Sequence, residues 1–255
     1  MPQLHFTREG SGPVVVLAHA LGCDLSMWDE VVRELARGFT VLRYDHRCHG
    51  RSQIVPGPFR IEDLADDAAD LVRREAAGPV HFVGLSMGGM VAQQLAVRHP
   101  ELVSSVVIAN SSSRYDDTAR GMWRSRIETA INLGMGAIAD AVLPRWFTRE
   151  WRTDAAHQPR IAQLRRVVEQ TDPRAYAACC EAISQIDFFA SNPLIACPAL
   201  VIAGTHDEST PISMSHAICN AISGAELATL PTAHVSAVER PAEFAGLVAG
   251  FINRI

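Results

Sequence analysis

The chain has 255 residues, a formal net charge of −5 and 23 basic side chains, every one of them arginine. Without lysine there is no Schiff base, hence no pyridoxal-phosphate or imine-forming aldolase chemistry, and no lysine for a phosphate-binding P-loop or a kinase site. A composition of 48% hydrophobic and 20% charged residues predicts one large globular domain, with or without an insertion, and the net negative charge disfavours a nucleic-acid partner.

No apolar run nears the roughly 18 residues of a membrane span, so no membrane partner is expected. Met1-Pro2-Gln3-Leu4-His5 carries neither the basic region nor the apolar stretch of a secretion signal. A cytoplasmic protein is therefore expected. Its six cysteines, Cys23, Cys48, Cys179, Cys180, Cys197 and Cys219, should be reduced and mostly buried. Asn110-Ser111-Ser112 matches a glycosylation sequon that such a protein would not use.

The first predicted element is a strand at Val14-Val15-Val16-Leu17-Ala18, a continuous apolar run of the kind buried on both faces. A helix from Ser26 to Arg37 follows, with Ser26 as N-cap and Gly38 past its end. Phe39 to Arg43 is the next strand, Ile61 to Ala77 a helix that stops at Gly78-Pro79, and Val80 to Gly84 a third strand. A helix over about Met87 to Arg98 and a strand from Val103 to Ala109 complete this part. Strands alternating with helices imply a mostly parallel central sheet covered on both faces, the α/β class.

From residue 111 to 192 no buried strand is predicted. The segment is helical in pattern, is divided by Pro144, Pro159 and Pro173, and holds Trp123, Trp146, Trp151, Tyr176, Phe188 and Phe189. It reads as a helical cap inserted into a core of residues 1–110 and 193–255. The alternation then resumes with a strand at Ala199 to Ala203, a helix from Ser213 to Ser223, a strand from Glu226 to Leu230 and a last helix from Pro241 to Asn253. In that helix Phe244, Leu247, Val248, Phe251 and Ile252 share one face.

Gly84-Leu85-Ser86-Met87-Gly88 matches G-x-S-x-G between a predicted strand and a predicted helix. That is the context of a nucleophile elbow, where glycines leave room for a tight turn and the serine Oγ is exposed above the sheet. The Met87 N–H then sits at a helix N-terminus, aimed at a developing oxyanion. Serine needs a base, and in the order Ser, acid, His the base follows the last strand, which selects His234. Asp207, preferred over Glu208 on the loop after the preceding strand, would fix the His234 tautomer. The Leu21 N–H, on the loop His19-Ala20-Leu21-Gly22 after the first buried strand, is the second oxyanion donor expected, with His19 bracing that loop. Asp45-His46-Arg47-Cys48-His49-Gly50-Arg51-Ser52 is dense in possible ligands but has no dinuclear metal spacing. It reads as a hydrogen-bonded loop behind the site.

From about Val14 to Phe251 the chain resembles the α/β-hydrolase superfamily, through His19-Ala20-Leu21-Gly22, Arg43-Tyr44-Asp45-His46-Arg47, the elbow at Ser86, Gly204-Thr205-His206-Asp207 and His234. Within it the chain looks most like the 3-oxoadipate enol-lactonases of aromatic catabolism. The telling pieces are Asp24-Leu25-Ser26-Met27-Trp28-Asp29, Arg145-Trp146-Phe147-Thr148, and Thr171-Asp172-Pro173-Arg174-Ala175-Tyr176-Ala177-Ala178-Cys179-Cys180. Two positions depart from the pattern: Cys48 stands where Gly is usual in Arg-Gly-His-Gly, and Met87 where Leu is common in the lactonases.

The resemblance implies an acyl-enzyme hydrolase acting on a small ester or lactone, with no metal and no organic cofactor. Ser86 would open the lactone and His234 would activate water for deacylation. An enol-lactone of this class bears a free carboxylate and needs an anchor at the cap. Arg145 is the first candidate and Arg114 the second, with Trp146 as a pocket wall. Eleven of the 23 arginines fall between Arg114 and Arg174, against eight acidic residues, so the cap is locally basic. The rival enzymatic reading is a carboxylesterase of other range, and perhydrolase or oxygenase chemistry could use the same residues. A haloalkane dehalogenase would want Asp at position 86. The rival of another class is a non-catalytic small-molecule receptor. A monomer or small homo-oligomer is expected.

Overall fold

A computed structural model describes residues 2–255. In chain order its elements are β1 (Phe6–Gly10), β2 (Val14–Ala18), α1 (Asp29–Leu35), β3 (Thr40–Tyr44), α2 (Ile61–Glu75), β4 (Val80–Leu85), α3 (Met87–Arg98) and β5 (Val103–Ala109). Five helices follow: α4 (Asp117–Leu133), α5 (Met135–Trp146), α6 (Arg149–Thr153), α7 (Gln158–Gln170) and α8 (Pro173–Ser184). The chain then re-enters the sheet as β6 (Ala199–Gly204) and ends with α9 (Ile212–Ala221), β7 (Glu226–Leu230), α10 (Ser236–Glu239) and α11 (Pro241–Ile252).

The seven strands form one sheet in the order β1-β3-β2-β4-β5-β6-β7. All neighbours are parallel except β1, which runs antiparallel to β3 with Phe6 opposite Tyr44. The central strands carry the predicted apolar runs, and Val15 to Ala18 are fully buried. From β2 the chain crosses to β3 on one side, and from β4 to β5 on the other. The loops leaving β2 and β4 therefore part company, and the crevice between them is where open α/β sheets bind ligands.

Three details differ from the sequence reading. β1 was not expected, because a half-exposed edge strand needs no apolar run and offers only Phe6 to the core. The helix placed at Ser26 begins instead as a 3-10 turn, Leu25–Trp28, capped by the Asp24 carboxylate accepting from the Ser26 N–H; α1 starts at Asp29. Pro144 does not divide the insertion. It sits within α5 two residues from its end, where a missing N–H forfeits a single helical bond. Pro159 and Pro173 open α7 and α8, the position where proline costs nothing.

The insertion leaves and returns at one place. Residues Arg114 and Asp187 form an antiparallel bridge, and the Phe188 N–H donates to the Ser113 carbonyl at 2.8 Å. All six cysteines are free thiols, with Cys23, Cys48, Cys179 and Cys180 buried. No helix is long and apolar enough to cross a membrane, among the described residues.

Candidate active site

Ser86 stands between the end of β4 and the start of α3, with φ +56° and ψ −114°. A non-glycine residue rarely holds such angles, and the cost is about 1–3 kcal/mol. Its neighbours leave no alternative. A Cβ at Gly84 would lie 2.0 Å from the Gly88 carbonyl oxygen, and one at Gly88 would lie 2.0 Å from the Ala18 carbonyl oxygen. Only glycine at both positions lets α3 start this close to β2 and β4.

His234 Nε2 lies 3.0 Å from Ser86 Oγ, and His234 Nδ1 lies 2.9 Å from Asp207 Oδ2. The three residues come from loops after β4, β6 and β7. Asp207 is tied down further. Its Oδ2 accepts from Asn110 Nδ2 at 3.0 Å and Thr210 Oγ1 at 2.7 Å, while Oδ1 accepts from the N–H groups of Ser209 and Thr210. Burial alone would raise its pKa. The attraction of His234 and the hydrogen bonds outweigh burial and hold Asp207 down to about 2. Asn110 and Thr210 were not singled out from sequence. Asn110, the first residue after β5, stands out in sequence only as part of a sequon.

Met87 is the first residue of α3 and is buried, so its N–H is one of those that a helix leaves without an internal acceptor. On the loop after β2, Gly22 N–H donates to His49 Nε2 at 3.1 Å and Cys23 N–H to the Ala20 carbonyl at 3.1 Å. Among the described residues no acceptor meets the Leu21 N–H. Leu21 and Ser86 both line the same cavity.

Behind this loop stand three imidazoles. His19 Nδ1 donates to the Ala20 carbonyl at 2.8 Å and its Nε2 accepts from His46 N–H at 3.0 Å; His49 Nδ1 donates to the Arg47 carbonyl at 3.1 Å. The tautomers of His19 and His49 are thus each set by one donated and one accepted bond, while the His46 Nε2 is buried without a partner. Burial pushes His19, His46 and His49 down, His49 to about 3. Asp45 Oδ1 accepts from Leu25 N–H, and its Oδ2 from Arg51 N–H and His5 Nδ1, all at 2.7–2.9 Å. Among the described residues no group of three or more His, Cys, Asp or Glu is arranged to hold a metal ion.

The cavity over Ser86 measures about 260 Å³ and is walled by core residues and by the inserted helices α4 and α5. Met90, Ile138, Val142, Trp123 and Trp146 give it an apolar surface. Trp146, the last residue of α5, lines the cavity. The two candidate arginines are not equivalent. Arg145 lines the cavity but is exposed, and its Nη2 donates to the Glu208 carbonyl at 2.9 Å. Arg114 does not line the cavity: it pairs with Asp187 at 3.4 Å where the insertion closes, and its side chain is 63% exposed. Another arginine does face inward. Arg126, on α4, donates from Nε to the Tyr176 hydroxyl at 2.6 Å and lies over the rings of Trp123 and Tyr176. Among the described residues it has no carboxylate partner.

Residues 13–241 match the family model of the alpha/beta hydrolase fold. The 3-oxoadipate enol-lactonase 2 of Acinetobacter baylyi is 32% identical over 243 residues, covering 95% of this chain and 89% of that protein. The crystal structure of the enol-lactonase from Burkholderia xenovorans LB400 superposes with a TM-score of 0.94 at 38% identity, covering 99% of this chain and 97% of that one. A thermophilic esterase from Thermogutta terrifontis, solved with malate bound, superposes at 0.92 with 26% identity, covering 99% and 94%. With its sheet order, its elbow and these matches along nearly its whole length, the chain belongs to the α/β-hydrolase family.

Proposed function

We propose that the protein is a serine hydrolase that opens a small carboxylate-bearing lactone of the enol-lactone type, with residues 111–192 acting as the cap over its site. The observation that carries the reading is the relay Ser86–His234–Asp207, with bonds of 3.0 and 2.9 Å, at the floor of an apolar cavity lined by the half-buried guanidinium of Arg126, which has no carboxylate partner among the described residues. The names of the relatives support the substrate class.

In this mechanism His234 Nε2 takes the Ser86 proton as Oγ bonds to the lactone carbonyl carbon. The Leu21 and Met87 N–H groups receive the oxyanion. The ring C–O bond then breaks, His234 returns the proton to the leaving oxygen, and the enol formed tautomerises to a ketone. Water, deprotonated by His234, releases the acid and restores Ser86. Asp207 stays ionised and stabilises the imidazolium.

Arg126 is the anchor we assign to the substrate carboxylate, in place of Arg114, which is spent on Asp187, and of exposed Arg145. Its Nη groups can meet a carboxylate while Nε keeps Tyr176. The test compares a carboxylated enol-lactone with a neutral aryl ester on wild type, Ser86→Ala and Arg126→Met. Arg126→Met should raise KM for the lactone roughly tenfold or more and leave the ester within about threefold. Equal effects on both substrates would remove the anchor. Faster turnover of neutral esters with no lactone opening would favour a carboxylesterase, and binding without turnover in wild type would favour a receptor.

A further inference from the structure

We infer that Glu239 is a positioning residue that fastens the helical insertion to the segment carrying His234, an inference that rests on the hydrolase reading above. Glu239 closes the one-turn α10, five residues after His234, and is buried. Its carboxylate gathers donors from two directions. Oε2 accepts the Ala233 N–H at 2.9 Å. The Thr148 N–H lies 3.3 Å from both carboxylate oxygens, and the Thr148 hydroxyl donates to Oε1. Ala233 directly precedes His234. Thr148 lies two residues past α5, whose last residue, Trp146, walls the cavity.

The other side of His234 is tied to the same stretch. The Val235 N–H donates to the Trp146 carbonyl at 3.0 Å. The N–H groups of the residues on either side of His234 are therefore bonded to residues 146–148, that of Val235 directly and that of Ala233 through a single carboxylate. The Ala233 carbonyl in turn accepts from Asn110 Nδ2 at 3.3 Å, so the base is held between the sheet and the insertion.

Only an acceptor fits at position 239. Two backbone N–H groups and a hydroxyl converge on it, and a carboxylate offers about four lone-pair sites and no donor. An amide would turn an NH₂ toward one of those N–H groups. The reason for the arrangement is geometric. His234 must serve Ser86 Oγ and then the leaving oxygen, and a misplacement of about 1 Å can cost about a hundredfold in rate. Contact of a ligand with Trp146 and the aim of His234 are mechanically linked through these bonds.

The test uses the intact enzyme as Glu239→Gln, Glu239→Asp and Thr148→Val, with p-nitrophenyl acetate as substrate and a fluorophosphonate, taken to its end point, to count reactive serines. Glu239→Gln should lower kcat per reactive serine by roughly ten- to hundredfold with KM within about threefold. Glu239→Asp, which keeps the acceptors, should recover part of the loss. Thr148→Val leaves the Ala233 bond intact and should lower kcat per reactive serine about threefold or more. Wild-type kcat per reactive serine in Glu239→Gln overturns the positioning role. So does a loss confined to the number of reactive serines, which is what a purely structural role gives. An unchanged Thr148→Val overturns the tie to the insertion. If Glu239→Gln does not fold, Glu239→Asp and Thr148→Val decide by the same measure. A wild type that neither reacts with the fluorophosphonate nor cleaves the ester fails the hydrolase reading itself, a result none of the variant comparisons can mimic.

Discussion

Asn110 donates its side-chain amide to Asp207 Oδ2 at 3.0 Å across 97 positions of the chain. The same amide reaches the Ala233 carbonyl, and its Oδ1 accepts from Ser236 Oγ. One side chain thus holds both the loop of the acid and the loop of the base. It does so from φ +45°, a left-handed angle that asparagine tolerates better than most residues. Asn110→Ala should lower kcat about tenfold and the unfolding free energy by about 2–4 kcal/mol, since three bonds are lost in a buried place. Asn110→Gly loses the same bonds but relieves the backbone, so it should unfold about 1 kcal/mol later than the alanine variant. Urea unfolding of the pair checks this; equal stabilities would mean that the angle carries no strain.

Ser86 holds a strained angle for the sake of its hydroxyl. Ser86→Ala should lose about 10⁴-fold or more in multiple-turnover hydrolysis while keeping the fold. Ser86→Gly should be equally inactive yet about 1 kcal/mol more stable than Ser86→Ala, because glycine adopts φ +56° freely. Thermal unfolding of the two variants, alongside a turnover assay, reads both effects.

Gly88→Ala adds one methyl group where the Ala18 carbonyl oxygen would be 2.0 Å away. Both partners are backbone, so neither can rotate aside. The helix start must move away from β2, taking the Met87 N–H with it. The variant should lose about 3 kcal/mol or more of stability and most of its activity. Gly121→Ala, on an open face of α4, is the control and should be neutral or slightly stabilising.

Acid should destabilise the protein well before its carboxylates are protonated. His19, His46 and His49 are buried and lowered from an ordinary 6.5. Below about pH 6.5 the unfolded chain therefore binds protons that the folded one refuses, and stability falls as pH falls, until the native His49 itself titrates near 3. Each such histidine contributes a slope of up to about 1.4 kcal/mol per pH unit. Asp207 adds a later loss. Held at about 2 against an ordinary 3.8, it contributes stability that is present above 3.8 and disappears toward 2. Urea midpoints should stay almost level above about pH 7 and fall steadily from about pH 6.5 to 5, and His49→Asn should flatten that slope. Midpoints that stay level over this range would contradict the neutral, buried imidazoles. Protonated His49 could no longer accept the Gly22 N–H, so the Leu21 loop should loosen only where the native imidazole itself titrates, at about 3.

The parallel sheet and the elbow were legible because their physics is local. A strand buried on both faces needs an unbroken apolar run, and a turn as tight as that at Ser86 needs glycines at fixed offsets. Loop order points to His234 and narrows the acid to Asp207 or Glu208, and the place three residues after Gly204 favours Asp207. What stayed hidden depends on how distant pieces meet. β1 exposes most of its residues and leaves no pattern. Arg126 was one of eleven arginines in the insertion, and α4 buries only Ala130 completely, so no periodicity marks its inner face. Arg114 looks free in sequence because its partner Asp187 lies 73 positions away. Glu239 and Thr148 each look like ordinary helix-end residues until the fold brings them together.

The bridge between Arg114 and Asp187 makes the intervening stretch a closed loop with a fixed doorway. Nothing between those residues is needed to set β5 against β6, which pair through Val106 to Ala109 and Ala199 to Ile202. The two parts can therefore change at different rates. The sheet keeps the nucleophile, acid and base in register while the helices outside the doorway are rebuilt for another acid. An exchange of residues 115–186 with the same segment of a relative would transplant preference without touching the relay, provided that Thr148 and the Trp146 carbonyl keep their counterparts.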